Sequence, residues 1–346
     1  MSSLDEALDR LPKAELHCHV EGTMRPGTVV ELARKNEVRL PVSDPTELYR
    51  YTSLDSFLRV FWLVQSCLRD RADWARLAYE SILDAAAHGV IYRETFFTPA
   101  RHLAAGARLG EIVAGLEEGI AAAERETGSR AMLIAGIDKA YGGEAGRQLV
   151  EELVELKRSG RAERVIGVGM DSTERGNHPR GFVEAYRLAA GFGLRRTGHQ
   201  GETAEASWVG DAVELLGLER IDHGIRVTDD PALMARLAER GIPFTVCPLS
   251  NVRIAGAVER LEDHPFPEMR DAGLHVTINT DDPAMIDDDL GREYAACARA
   301  FGYGFDTMAE IAGAAFRAAW LDEGDRRDLL ARLNAEARVL SAGIAT

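Results

Sequence analysis

Eight short strand-like runs recur along the chain, at residues 14–20, 90–97, 131–138, 165–171, 194–201, 220–224, 243–248 and 275–281. Apolar residues at helical spacing fill most of the intervals, as at 110–125, 146–157, 182–190 and 231–239. This alternation constrains the fold more than any other feature. A helix between two strands carries the chain back to its starting end, so successive strands lie parallel. Eight such units predict an α/β chain closed as a (β/α)8 TIM barrel, with an open doubly wound sheet as the competing arrangement. A chain of 346 residues is long enough for one such barrel, and a single domain over 1–346 is expected. Two regions exceed the repeat. A helical insertion, about 24–88, follows the first strand and carries Phe57, Phe61 and Trp62 at helical spacing. It is expected to cap the site, with Phe57 and Phe61 against the substrate. A helical extension, 291–337, follows the last strand and is expected to pack on the barrel.

Charge and cysteine content narrow the function classes. The formal net charge of −15 argues against nucleic-acid or anionic-membrane binding, which need a basic face. No apolar run is long enough to span a bilayer. Cys18, Cys67, Cys247 and Cys297 are scattered without a CxxC pair and read as reduced thiols. With no apolar segment at the N-terminus, a cytoplasmic setting is expected. The oligomeric state is open.

Barrel active sites are built at the carboxyl ends of the strands. The first strand ends in His17-Cys18-His19, and residues two apart in a strand share a face. The fifth ends in His199, followed by Glu202; the sixth in Asp222-His223; the eighth in Asp281-Asp282. Four of the nine histidines fall at these ends; the others, His88, His102, His178, His264 and His275, read as structural or solvated. Three imidazoles and one carboxylate suit a zinc ion with room for a water. His17, His19, His199 and Asp281 are the expected ligands. Zinc would lower the pKa of its water and make a hydroxide nucleophile. His223 is then the candidate base or electrostatic partner of that hydroxide, Glu202 the candidate acid for a ring nitrogen, and Asp282 a hydrogen-bonding partner of the substrate. Plainer roles exist for two of these. Asp282 precedes Pro283 and can shape a turn, and Glu202 can serve as a helix N-terminal carboxylate.

Taken together, the segments LPKAELHCHVEG (11–22), GHQGE (198–202), RIDHG (220–224) and NTDDP (279–283) resemble the adenosine and adenine deaminases of the metal-dependent amidohydrolase superfamily. The resemblance runs from Leu11 to about Leu333. It implies one Zn2+ per chain on His17, His19, His199 and Asp281. It implies hydrolytic removal of a purine 6-amino group as ammonia, with Glu202 protonating N1, His223 orienting and activating the hydroxide that attacks C6, and Asp282 bonded to N7. Gly169 and Asp171, at the end of the fourth strand, would contact the purine. Two-metal relatives carry a carboxylated lysine there; GVGMD (167–171) has none, so one metal is expected. The segments MDSTE (170–174) and CPLSNV (247–252) resemble the adenine branch. Thr98 and Gln200 depart from it: Asp is common in that branch at the first position, and a small residue is common in both branches at the second. Free adenine, adenosine and a larger 6-aminopurine nucleoside such as aminodeoxyfutalosine therefore all stay open.

Two other readings have their own signatures. One is a zinc hydrolase of another kind, such as an amidase or a phosphoesterase; a phosphoesterase would favour clustered basic residues at the strand ends. Arg93 and Arg226 are the nearest candidates, and they do not cluster. A catalytically dead binding protein would be expected to lose Glu202 or a ligand, and none is lost.

Overall fold

The computed structural model describes residues 3–42, 44–51 and 54–344. Its strands are β1 (Lys13–Glu15), β2 (Val90–Phe97), β3 (Arg130–Asp138), β4 (Val165–Asp171), β5 (Arg195–Gln200), β6 (Ile221–His223), β7 (Pro243–Val246) and β8 (His275–Ile278). They pair in sequence order, each neighbouring pair parallel. The circle closes past the regular strands. The Asp281 N–H donates to the His17 carbonyl at 3.1 Å, and the His19 N–H to the Asp281 carbonyl at 2.8 Å. This is the expected (β/α)8 barrel. Helices cover its outside, so strands such as β2 are buried at every position.

β1 is shorter than its sequence run. Regular pairing stops at Glu15, and the chain continues as single bridges, Cys18 to Asp281 and His19 to Phe96. The Leu16 N–H is taken by the Asn279 side chain at 2.8 Å, which interrupts the ladder where the two histidines enter the barrel.

The insertion divides in two. Helix Arg71–Ala87 lies along helix Leu109–Thr127 as an ordinary member of the outer ring, leading into β2. Gly119 permits that close approach: a Cβ there would stand 2.1 Å from the Ala75 carbonyl oxygen. Only the part before it, with helices Pro26–Lys35 and Leu54–Ser66, exceeds the repeat. Positions 43, 52 and 53 of the insertion lie outside the described residues.

The C-terminal extension, helices Leu290–Phe301, Phe305–Ala318 and Glu323–Gly343, packs on the barrel. At the floor, fully buried Arg220 and Glu94 pair at 2.6 Å. Burying two charges costs less when further groups bond or stack on them. Here the other Glu94 oxygen takes the Tyr92 hydroxyl at 3.1 Å and the Trp320 N–H at 2.6 Å, while the Arg220 guanidinium stacks 4.0 Å from the Trp320 ring. Among the described residues no helix is long and apolar enough to cross a membrane.

Candidate active site

The carboxyl ends of β5, β6 and β8 and the bridges after β1 bring four histidines and an aspartate together. His17 Nδ1 lies 3.1 Å from the Thr245 carbonyl, and His199 Nδ1 lies 3.0 Å from the Met170 carbonyl. A carbonyl can only accept, so each Nδ1 carries the proton and each Nε2 presents a bare lone pair to the centre. His199 Nε2 stands 3.0 Å from both His17 Nε2 and His19 Nε2. Asp281 Oδ1 is 3.3 Å from each of the last two. Lone pairs of His17 and His199 facing each other at this distance repel unless a cation lies between them. A tetrahedral zinc with bonds of about 2.0–2.1 Å separates its ligands by about 3.3 Å, which this donor set fits. Asp281 Oδ1 is buried and faces these Nε2 atoms, while Oδ2 takes the Ser250 hydroxyl at 2.5 Å. Burial opposes charge on His19, but Asp281 and Asp282 outweigh it and hold its pKa at about 10. A metal entering the cluster must displace that proton.

His223 flanks the cluster. Its ligand atom, with those of His17, His199 and Asp281, falls in a group spanning no more than 4.8 Å. Its Nε2 is 3.9 Å from Asp281 Oδ2. Burial, then His17, keeps the His223 ring neutral. His223 (φ 60°) and Asp281 (φ 66°) both adopt the left-handed backbone region, which costs a non-glycine residue about 1–3 kcal/mol. That strain aims both side chains inward at the end of a strand.

Asn251 joins the two proton-handling groups. Its amide donates to Glu202 Oε1 at 2.9 Å and to His223 Nδ1 at 3.0 Å, and its oxygen lies 3.2 Å from His264 Nε2. Burial first, then Asp281 and Glu174, push the Glu202 carboxyl up to about 8. Asp282 is raised well above the carboxylate range by burial and by Asp281, and its Oδ1 has no partner. Gly22 makes room for it: a Cβ there would stand 1.8 Å from that oxygen. Asp171 accepts the Thr98 hydroxyl, its Oδ1 is unpartnered, and burial followed by Asp138 raises it to about 7. Asp138 lies beside it, because the β3–β4 register pairs the two residues.

A cavity with about 740 Å³ of empty space, its mouth included, opens over these groups. His19, His199, Asp281, Glu202, His223, Asp282 and Asp171 line it, and helix Leu54–Ser66 adds Phe57 and Phe61 from the opposite wall. His17 lies behind them, fully buried. Gly169 is not brought to the cavity. It faces the barrel interior, where a Cβ would stand 2.6 Å from the Phe96 ring. Sequence reasoning missed Asp138, Glu174, Asn251 and His264. His264 read as structural or solvated, yet it reaches Glu202 and His223 through one amide. Arg93 pairs with buried Glu15 and Arg226 with exposed Asp229, so neither offers the cavity a positive charge.

The adenosine deaminase family profile matches residues 12–336. The chain belongs to this family. It is 40% identical to the adenine deaminase of Streptomyces coelicolor over 334 residues, 96% of each chain. The adenine deaminase from Arthrobacter aurescens superposes with a TM-score of 0.90 at 34% identity, covering 95% of this chain and 99% of that one. An amidohydrolase from Burkholderia ambifaria with bound Zn superposes with a TM-score of 0.91 at 29% identity, covering 99% and 95%. The chain is thus an enzyme that hydrolyses a C–N bond, deaminating a small aminopurine, and it carries a metal-binding His/Asp cluster.

Proposed function

We propose that the enzyme is a zinc-dependent adenine deaminase, converting the free base to its 6-oxo product and ammonia. The observation that carries the choice of base is the carboxyl pair Asp138 and Asp171, side by side at the ends of β3 and β4 and both lining the cavity. The N3/N9 edge of adenine sets an acceptor beside an N–H donor. A carboxyl group that keeps a proton offers the converse, O–H to N3 and C=O from N9–H. Asp171 has the free oxygen and the raised proton affinity for this. A nucleoside carries its sugar on N9 and loses the donor. The relatives called adenine deaminases support the same reading.

Zinc suits three imidazole nitrogens and one carboxylate, and when bound it lowers the pKa of a coordinated water toward neutrality. The chain supplies the rest. Glu202, protonated by burial, delivers its proton to N1 as attack at C6 breaks the ring's aromaticity. His223 receives the Asn251 amide proton on Nδ1, so its neutral ring carries its own proton on Nε2. It therefore orients the attacking oxygen as a hydrogen-bond donor. Asp282, kept protonated by burial, donates to N7. Phe57 and Phe61 cover the purine face and exclude water. The lid and the extension pack on one barrel, and we treat 1–346 as one functional domain. Four free, buried cysteines favour a cytosolic setting.

The test is an absorbance assay of adenine, adenosine, 2′-deoxyadenosine, N6-substituted adenines and aminodeoxyfutalosine. Lost pairing of a buried polar group costs a substrate roughly 10⁴ in discrimination where the site is built for it. Adenine is expected to lead adenosine by at least about 100-fold in kcat/KM. Adenosine or a larger nucleoside ahead of adenine overturns the free-base reading.

A further inference from the structure

Residues 201–204, which carry Glu202, form neither helix nor strand. Their backbone N–H groups converge on one side chain, Glu174. Oε1 accepts from Gly201 N–H at 2.6 Å and from the Gln200 amide at 2.8 Å. Oε2 accepts from the N–H groups of Glu202 at 3.1 Å, Thr203 at 2.7 Å and Ala204 at 2.9 Å, and from the Thr203 hydroxyl at 3.0 Å. One buried carboxylate thus takes six donors, four of them successive peptide groups. Such nests of N–H groups bind anions strongly, and bonds to a charged acceptor are about twice as strong as neutral ones. Gly201, at φ 71°, makes the turn that points its N–H inward.

The charge has a counterpart. Lys139 is fully buried, and Glu174 acts on it more strongly than any other charged group. Its ammonium donates to the His199 carbonyl at 2.9 Å, near the end of β5 and just before the same loop. Glu202 is therefore held twice. Glu174 fixes its backbone from below, and Asn251 fixes its carboxyl from the side.

We propose that Glu174, assisted by Gln200, is a positioning residue that sets the place of the Glu202 carboxyl against the substrate ring nitrogen. The proposal rests on reading Glu202 as the proton donor. A catalytic group misplaced by about 1 Å loses on the order of 10² in rate, so a loop with no ladder of its own needs such an anchor.

The experiment compares metal-loaded wild type, Glu174→Gln, Gln200→Ala, Glu202→Gln and the double variant Glu174→Gln/Glu202→Gln on the best substrate of the panel above. Glutamine keeps the shape of Glu174, but in either orientation its NH2 faces at least two N–H donors. Glu174→Gln is expected to lower kcat by about 30–100-fold, with KM within about threefold and one metal retained per chain. Gln200→Ala removes one donor, and about a threefold loss is expected. The double variant is expected to be no slower than Glu202→Gln alone, because both changes act through one proton. A merely structural role would instead lower metal content or raise KM, and its effect would add in the double variant. Glu174→Gln with kcat per metal-loaded site within threefold of wild type overturns the proposal, as does additivity. If Glu174→Gln does not fold, Gln200→Ala and Thr203→Val carry the test, and unchanged kcat in both overturns it. Glu202→Gln with near wild-type kcat would instead remove the reading of Glu202 itself.

Discussion

In the proposed mechanism a proton sits on Glu202 while hydroxide attacks, because charge then develops on the ring nitrogen. Burial supplies it, raising the carboxyl to about 8. Activity that needs this acid is therefore present below that pH and falls as pH rises through it. A bound cation cancels part of the Asp281 contribution, so the alkaline limb of kcat is expected at or below about 8. Glu202→Gln keeps the volume and cannot deliver the proton. It should lower kcat by about 10²–10⁴ with metal content unchanged, and it should flatten the alkaline limb. A full-strength kcat, or a limb that stays in place, removes Glu202 from the mechanism. At this scale the His/Asp cluster was legible, because a metal site confines imidazoles and carboxylates to the ends of strands. Glu174, Asn251 and His264 were not. Glu174 lies 26 residues from Gln200 and Asn251 lies 49 from Glu202, and only tertiary folding brings each pair into contact. Gly169 does not line the cavity; its missing side chain makes room for the Phe96 ring.

At the scale of elements, the strands were legible from apolar runs and their turn-rich borders, whereas their ends were set by tertiary contacts. β1 stops early because Asn279 captures its next N–H. The insertion was drawn too long because the Arg71–Ala87 helix has the same periodicity whether it caps a site or wraps a barrel; its packing on Leu109–Thr127 decides. The Pro26–Lys35 and Leu54–Ser66 helices are the excess, and the second lines the cavity. Phe57 and Phe61 lie one helical turn apart with ring centroids separated by 5.8 Å, and the Phe61 ring stands 6.4 Å from that of His19. Phe57 is nearly fully buried and Phe61 only partly, so Phe61 is the change that spares the core. Truncating an aromatic that covers a ligand gives up about 1–3 kcal/mol of apolar contact. Phe61→Ala should raise KM by about tenfold, with circular dichroism and metal content unchanged. A KM within twofold of wild type would show that this helix does not close on the substrate.

For the whole molecule, the metal cluster is where the barrel is sewn shut. The backbone contacts that join the chain after β8 to the chain after β1 run through Asp281, His17 and His19, three of the four proposed ligands. The closure brings the His17 and His199 Nε2 atoms to 3.0 Å and sets Asp281 Oδ1 3.3 Å from the Nε2 atoms of His17 and His19, a donor set that a cation would hold together. Metal binding should therefore stabilise the fold, not only the site. An ion at a thousandfold excess over its Kd contributes about 4 kcal/mol. In a chain of 346 residues that corresponds to roughly 5–10 °C in Tm. Chelation followed by calorimetry is expected to show that fall, and one equivalent of zinc should restore both Tm and activity. Asp281→Ala and His17→Ala should start near the chelated Tm and gain little from added zinc. Glu202→Gln, which leaves the ligands intact, should keep the full response. An Asp281→Ala variant that binds one zinc and regains the wild-type Tm would remove Asp281 from the ligand set and detach barrel closure from the metal.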